Sequence, residues 1–321
     1  MTDTLDVLVI ADDGDLHYLA VERALHLRGA QVKAWNLSTF RSTSMTFDGD
    51  RLLLEFPDGS SAIVDSTTTV WWRRVGRTPT EDLSTEEAAL VRDENPHALI
   101  GCLDALGARW VDHPDVVARA ERKLFQLAAM RANGIRTPRF VLTNSIEAAR
   151  EFHKHDPVVT KALSPGEGIA PFTDRVTSHD IDQYIACNPT LLQEDVNALA
   201  DLRVVVVGST VMVWRRPRGD TTVDWRADDP EGTGFLLADE ASFGARRLAN
   251  LRDQALAANA LLGLSVSVQD WLVTGVEVSV VIRLFGSKDS TALNRLLRRG
   301  GAPSTRLRFE TWEKEDGQVA R

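Results

Sequence analysis

Only two of the 321 residues are cysteine, Cys102 and Cys187, and neither stands at metal-ligand spacing. That excludes a disulfide framework and a structural zinc site, and two lone thiols suit a reducing cytoplasm, each packing as a small buried hydrophobe. No apolar run approaches the length needed to cross a bilayer. The start, Met1-Thr2-Asp3-Thr4-Leu5-Asp6, lacks the basic opening of a secretory signal and flows straight into a strand. Positive charge is also short: the formal net charge of -9 argues against general nucleic-acid binding and leaves only local basic patches. A glycine-rich phosphate loop is missing after the first strand, where Asp12-Asp13-Gly14-Asp15 sets three carboxylates that would repel a phosphate. That tetrapeptide reads instead as a turn and a helix N-cap. These absences leave a cytoplasmic protein that addresses neither a nucleic acid nor a membrane.

What is present is an ordinary globular composition, 43% hydrophobic and 26% charged, long enough for two or three packed units. Leu5–Ile10 reads as a buried parallel strand. Leu16, Leu19, Ala20, Ala24 and Leu27 then follow a helical period up to Gly29, and Val32–Trp35 returns as a second strand, which makes a βαβ unit. Leu52–Phe56 and Ala62–Asp65 flank Pro57-Asp58-Gly59-Ser60 as a hairpin. Val70-Trp71-Trp72-Arg73-Arg74 could form a stacking and carboxylate-binding surface; on chemistry alone a strand with one buried Trp and solvated arginines is the better reading. Thr85 to Leu106 is helical, His113 before Pro114 suits packing or capping, and Ala118 to Ala132 forms a further helix.

The centre of the chain is Leu191-Leu192-Gln193-Glu194, a polar connection, and Asp201-Leu202-Arg203 opening the strand Val204–Val207, which turns at Gly208-Ser209. A carboxylate at such a strand end can accept bonds from a ribose, and an arginine facing the same cleft can clamp a phosphate. Upstream, Val158-Val159-Thr160-Lys161 ends in a lysine before the loop Ser164-Pro165-Gly166-Glu167-Gly168, rich in Gly, Ser and Pro. Downstream lie Asp224-Trp225-Arg226, an amphipathic helix from Ala245 to Leu262 closed by Gly263, and Val268-Gln269-Asp270.

In this order the segments resemble the ATP-grasp fold, and within it the graspetide (microviridin-type) peptide ligases, over most of residues 5 to 273. The resemblance implies an α/β chain divided into an N-terminal pre-ATP-grasp domain (1–115), a small subdomain with the phosphate lid (116–190), a large subdomain (191–290) and a basic tail (291–321). It implies ATP and Mg2+ as cofactors. Lys123 and Lys161 would hold the phosphates, Gln193 and Glu194 the adenine and ribose, and Arg203 and Arg226, with Arg216 as a third candidate, would neutralise charge in transfer. Trp71-Trp72-Arg73-Arg74 also fits the family, with no role attached to it. The partner implied is a ribosomal precursor peptide with an acidic core, and the assembly a homodimer.

The magnesium hairpin departs from the family pattern of an Asp on one strand and Glu-x-Asn on the next. Asp270 fits the first position. By hairpin length the return strand supplies Val280-Val281-Ile282-Arg283-Leu284, without a carboxylate; a shifted alignment with a turn at Thr274-Gly275 supplies Glu277 and Ser279 instead. The resemblance therefore implies a ligase that activates an Asp or Glu side chain as an acyl phosphate and closes an ester or amide ring with a Ser, Thr or Lys side chain. Two alternatives stay open: an impaired ATP-grasp pseudoenzyme acting as a peptide-binding or dimerisation partner, and a ligase joining a free amino acid to a small acid.

Overall fold

The computed structural model describes residues 4–13, 15–73, 75, 77–163, 174–177, 181, 185, 189–219, 223–225, 229, 232–275 and 277–280. The expectations for Arg74, the loop 164–168, Cys187, Arg226 and the tail beyond 280 lie outside these residues.

β1 (Val7–Ile10) is apolar throughout because both of its faces are covered. The chain then caps α1 (Leu16–His26) with Asp15, whose carboxylate accepts the N–H groups of His17 and Tyr18, and returns as β2 (Val32–Trp35) parallel to β1. The expected hairpin is present and carries an extra strand: β3 (Ser44–Phe47), β4 (Leu52–Glu55) and β5 (Ser61–Val64) form an antiparallel sheet. β6 (Thr69–Trp72) follows, then α2 (Thr85–Ala105), opened by a capping box of Ser84 and Glu87, and β7 (Arg109–Val111). The first sheet has the order β2-β1-β6-β7 and all its pairs are parallel. Leu8, Ile10, Trp35, Val70, Leu99 and Leu103 are among the side chains that fill its core. Cys102 is half-buried at the edge of that core, a small departure from full burial, and burial raises its thiol pKa.

The helix expected from Ala118 to Ala132 is two helices, α3 (Pro114–Ala120) and α4 (Lys123–Ala132). His113 caps α3, with Nδ1 accepting the Asp115 N–H at 3.1 Å, and Pro114 fits the first turn because its missing N–H is not needed there. The break follows from Gln126, whose buried side-chain amide donates to the Ala120 carbonyl and closes α3 one turn ahead of α4. Lys123 thereby becomes the first residue of a new helix.

The second sheet is built from β8 (Phe140–Thr143), then, after α5 (Ile146–His153), β9 (Val158–Lys161), β10 (Asp174–Val176) and β11 (Thr190–Glu194), in the order β10-β9-β11-β8 with antiparallel neighbours. The third consists of β12 (Ala200–Val207), β13 (Thr210–Pro217), β14 (Leu236–Leu237) and, after α6 (Glu240–Phe243) and α7 (Ala245–Leu262), β15 (Val266–Thr274) and β16 (Glu277–Val280). Its order is β14-β13-β12-β15-β16. The period of two sorts β12 cleanly: Leu202, Val204 and Val206 join the core that includes Leu248, Leu251 and Ala255 of α7, while Val205 joins Trp214, Trp225 and Phe235 on the other face. Asp112, just past β7, fastens the first sheet to the third, its carboxylate accepting the Ser265 N–H at 2.9 and 3.0 Å and the Val266 N–H at 3.1 Å. Among the described residues no helix is long and apolar enough to cross a membrane.

Candidate active site: a cleft between two antiparallel sheets

Residues of β9 and β11 face β12 and β15 across a cleft. Lys161, Gln193 and Glu194 line one wall, and Asp201, Arg218 and Asp270 line the other. β9 and β11 pair so that Leu191 lies opposite Lys161 and Glu194 opposite Val158, which sets the lysine at one end of the wall and the carboxylate at the other. Lys123, from the start of α4, donates its ammonium to the carbonyl of Ala162, next to Lys161. The helix break therefore brings both expected phosphate-binding lysines to one strand end.

Gln193 is 2% exposed, and its Oε1 has no hydrogen-bond partner among the described residues. A buried acceptor left unpaired costs roughly 1–3 kcal/mol, so its persistence in a cleft wall points to a donor supplied by a ligand. Glu194 is only partly committed: one carboxylate oxygen accepts the Arg139 N–H at 3.1 Å.

The opposite wall differs from expectation. Arg203 is fully buried, with its guanidinium 5.2 Å from the Trp225 ring centroid, so it supports the floor of the cleft rather than projecting from it. Its Cα partners are Trp214 on β13 and Asp270 on β15. Arg216 faces carboxylates, with Asp201 at 3.4 Å and Asp229 at 3.6 Å, so its charge is matched within the protein. Asp201 and Arg218 are site residues that the sequence reading did not select. Arg218 lies 3.5 Å from Asp201 and also donates to the Val223 carbonyl. Burial pushes the Asp201 carboxyl up to about 6, opposed by Arg218 and Arg216 and helped by Asp270 and Asp224. A carboxyl in that range exchanges a proton near neutrality and can take one from an attacking hydroxyl or amine. The available signal was a charged residue two positions before Arg203 in an otherwise apolar strand; for Arg218, just past the strand end, no local pattern existed.

The hairpin turns where the shifted alignment placed it: Thr274 lies opposite Glu277, and Gly275 has φ +53°, a backbone that glycine adopts readily. The same register keeps Asp270 and Glu277 apart. Trp271 is opposite Val280, so Glu277 stands four residues along the ladder from Asp270, about 13 Å at the usual rise per residue. Asp270 thus stands as a cleft carboxylate without Glu277 beside it, and among the described residues no group of three metal-binding side chains is present.

A parallel α/β sheet followed by two antiparallel sheets that flank a cleft is the arrangement of the ATP-grasp fold. No protein-family model and no functionally curated protein matches the chain by sequence. Solved structures match it closely in shape. The RiPP-associated ATP-grasp ligase of Chryseobacterium gregarium, in complex with ADP and a leader and core peptide, superposes with a TM-score of 0.77 at 22% identity, over 90% of this chain and 91% of that one. The macrocyclase MdnC of Microcystis aeruginosa MRC, bound with precursor peptide MdnA, gives 0.72 at 20% identity over 86% and 89%. The ATP-grasp ligase PsnB, complexed with minimal precursor, Mg and ADP, gives 0.70 at 20% identity over 90% and 91%.

Proposed function

We propose that the protein is an ATP-dependent ligase that cyclises a ribosomal precursor peptide with an acidic core. The observation that carries this reading is the cleft, in which Lys123 and Lys161 converge on one strand end beside an unpaired buried Gln193 acceptor while Asp270 faces them from β15. The shape shared with structures that hold ADP and precursor peptides supports it.

In this reading Gln193 accepts a hydrogen bond from the adenine amino group, Glu194 accepts from the ribose, and the two lysines neutralise the phosphates. Arg226 would neutralise charge on the transferring phosphoryl group, as the resemblance implies, and Arg203 adds positive potential from beneath. A substrate carboxylate oxygen attacks the γ-phosphorus, the bond to the β-phosphate oxygen breaks, and ADP leaves with the electron pair. A Ser or Thr hydroxyl, or a Lys amine, then attacks the acyl carbon, phosphate departs, and Asp201 takes the nucleophile's proton. The chemistry requires this activation because hydroxide is a far poorer leaving group than phosphate. Asp270 would hold magnesium against the phosphates, where the ion would supply the charge neutralisation that phosphoryl transfer needs; a single protein carboxylate is an ordinary complement for that ion.

The test is incubation with ATP, magnesium and the candidate precursor. ADP release that depends on the peptide, together with loss of one water mass per ring, supports the ligase; hydrolysis indifferent to the peptide contradicts it. The register that separates Glu277 from Asp270 favours one second reading, a pseudoenzyme that binds peptide and nucleotide without transfer. Peptide binding with neither ADP release nor mass loss would select it.

A further inference from the structure

A second cationic feature, Arg73, lies outside the cleft, at the C-terminal edge of the first sheet. β1 and β6 run in parallel, and the Arg73 N–H donates to the Ile10 carbonyl at 2.8 Å, so Arg73 emerges where open parallel sheets bind ligands. Its Nε donates to Asp15 Oδ2 at 3.0 Å. The Asp15 side chain is completely buried, and its other oxygen is already occupied by the His17 and Tyr18 N–H groups at the start of α1. Burial alone would raise the Asp15 carboxyl, but Arg73 and the Tyr18 N–H hold it below its ordinary value. The guanidinium lies 5.6 Å from the Trp71 ring centroid.

Arginine–carboxylate pairs are frequently two-pronged, with two nitrogens turned onto the carboxylate. Here only Nε is used, because Oδ1 belongs to the helix, and the terminal nitrogens have no hydrogen-bond partner among the described residues. Asp15 shares its charge with the α1 N-terminus, so the guanidinium keeps much of its positive character. Its orientation is fixed by Asp15 on one edge and Trp71 on one face, which removes most of the rotamer entropy that an exposed arginine loses on binding. Asp112, at this same end of the sheet, bonds to Ser265 and Val266, so the edge is turned toward the body that carries the cleft.

We propose that Arg73, braced by Asp15 and Trp71, is a carboxylate-binding site for the peptide substrate, separate from the nucleotide cleft; this rests on the peptide-ligase reading above. The exposed Asp12 and Asp13 nearby disfavour a polyanion such as a triphosphate and leave a single carboxylate as the fitting ligand. That carboxylate is either an Asp or Glu side chain or the peptide's C-terminus.

The test uses calorimetry on the full chain with three synthetic peptides: a Thr/Glu peptide capped at both ends, its Gln counterpart, and the Gln counterpart with a free C-terminus. Wild-type protein is expected to bind a carboxylate-bearing peptide at least tenfold more tightly than the capped Gln peptide, and Arg73→Gln to abolish that preference while ATP affinity stays unchanged. Preference for the Glu peptide assigns the site to side chains, and preference for the free C-terminus assigns it to the chain end; both support the proposal. Arg73→Lys, which keeps the charge but not the fork, is expected to lose at least threefold. Should Arg73→Gln fail to fold, guanidinium 15N shifts of the wild-type arginine on adding the Glu peptide, absent with the capped Gln peptide, give the same answer. Equal peptide binding by wild type and Arg73→Gln, or no carboxylate preference in the wild type, overturns the proposal. The ligase reading is judged apart from it, by peptide-dependent ADP release.

Discussion

Replacing Gln193 by Met should move two measurements in opposite directions. The side chain is 2% exposed and its Oε1 lacks a partner among the described residues. In the nucleotide-free protein that acceptor contributes a desolvation cost of about 1–3 kcal/mol. A thioether of similar length fills the same space without it, so Gln193→Met is expected to be about 1 kcal/mol more stable than wild type by urea unfolding, with an unchanged m-value. ATP binding should weaken, since the amide oxygen is the group proposed to accept the adenine amino proton. Losing a neutral hydrogen bond of about 1 kcal/mol raises Kd about fivefold. GTP, which carries a carbonyl at that position, should lose little, so the preference for ATP over GTP falls by the same factor. A Gln193→Met protein that is less stable and binds ATP as wild type does would refute the reasoning, because the acceptor would then be serving the fold and not the ligand.

Other perturbations separate folding from function. Asp112→Ala removes a carboxylate that takes two backbone N–H groups and strands both donors; a loss of about 3 kcal/mol or more in urea unfolding is expected, and a smaller loss for Asp112→Asn, which keeps one acceptor oxygen. Lys161→Ala should raise the ATP Kd about tenfold or more through loss of a charge-assisted contact, with little change in peptide affinity. Asp15 is held below its ordinary pKa in the folded protein, so its contribution is complete above the unfolded value near 3.9 and is lost as pH falls through the folded value. Wild type is therefore expected to exceed Asp15→Asn in stability at pH 5, with the gap closing on acidification; a gap independent of pH contradicts the ion pair.

Much of this architecture was legible because it rests on local periodicity. β1, α1, β2, the β4–β5 hairpin and the apolar strand β12 are set by burial patterns and turn residues that any window of the chain displays. What escaped was nonlocal. The break between α3 and α4 depends on Gln126 turning back to Ala120, an alternative to continued helix that the period does not reveal. The expectation of solvated arginines after Trp72 failed at Arg73, because Asp15 lies 58 residues earlier and meets it only once β1 and β6 pair.

The cleft shows the same division. Lys161, Gln193 and Glu194 stand at or next to strand ends, a placement readable from the apolar runs before them, while their roles, like that of Lys123, come from the resemblance. Arg203 was correctly placed on its strand, yet its full burial against Trp225 follows from packing on the cleft side of the sheet. Asp201 and Arg218 gain their importance from each other across β12 and β13. The Glu277 alternative shows how a correct turn can still miss a site: the hairpin bends at Gly275, and its register then carries Glu277 away from Asp270.

The most direct measurement is calorimetric titration of ATP into the protein with and without magnesium, repeated on Asp270→Asn. Tight binding that requires magnesium in the wild type and weakens at least tenfold in Asp270→Asn is expected if the cleft is an ATP-grasp nucleotide site. Binding that is absent, or that is indifferent both to magnesium and to Asp270, would contradict it.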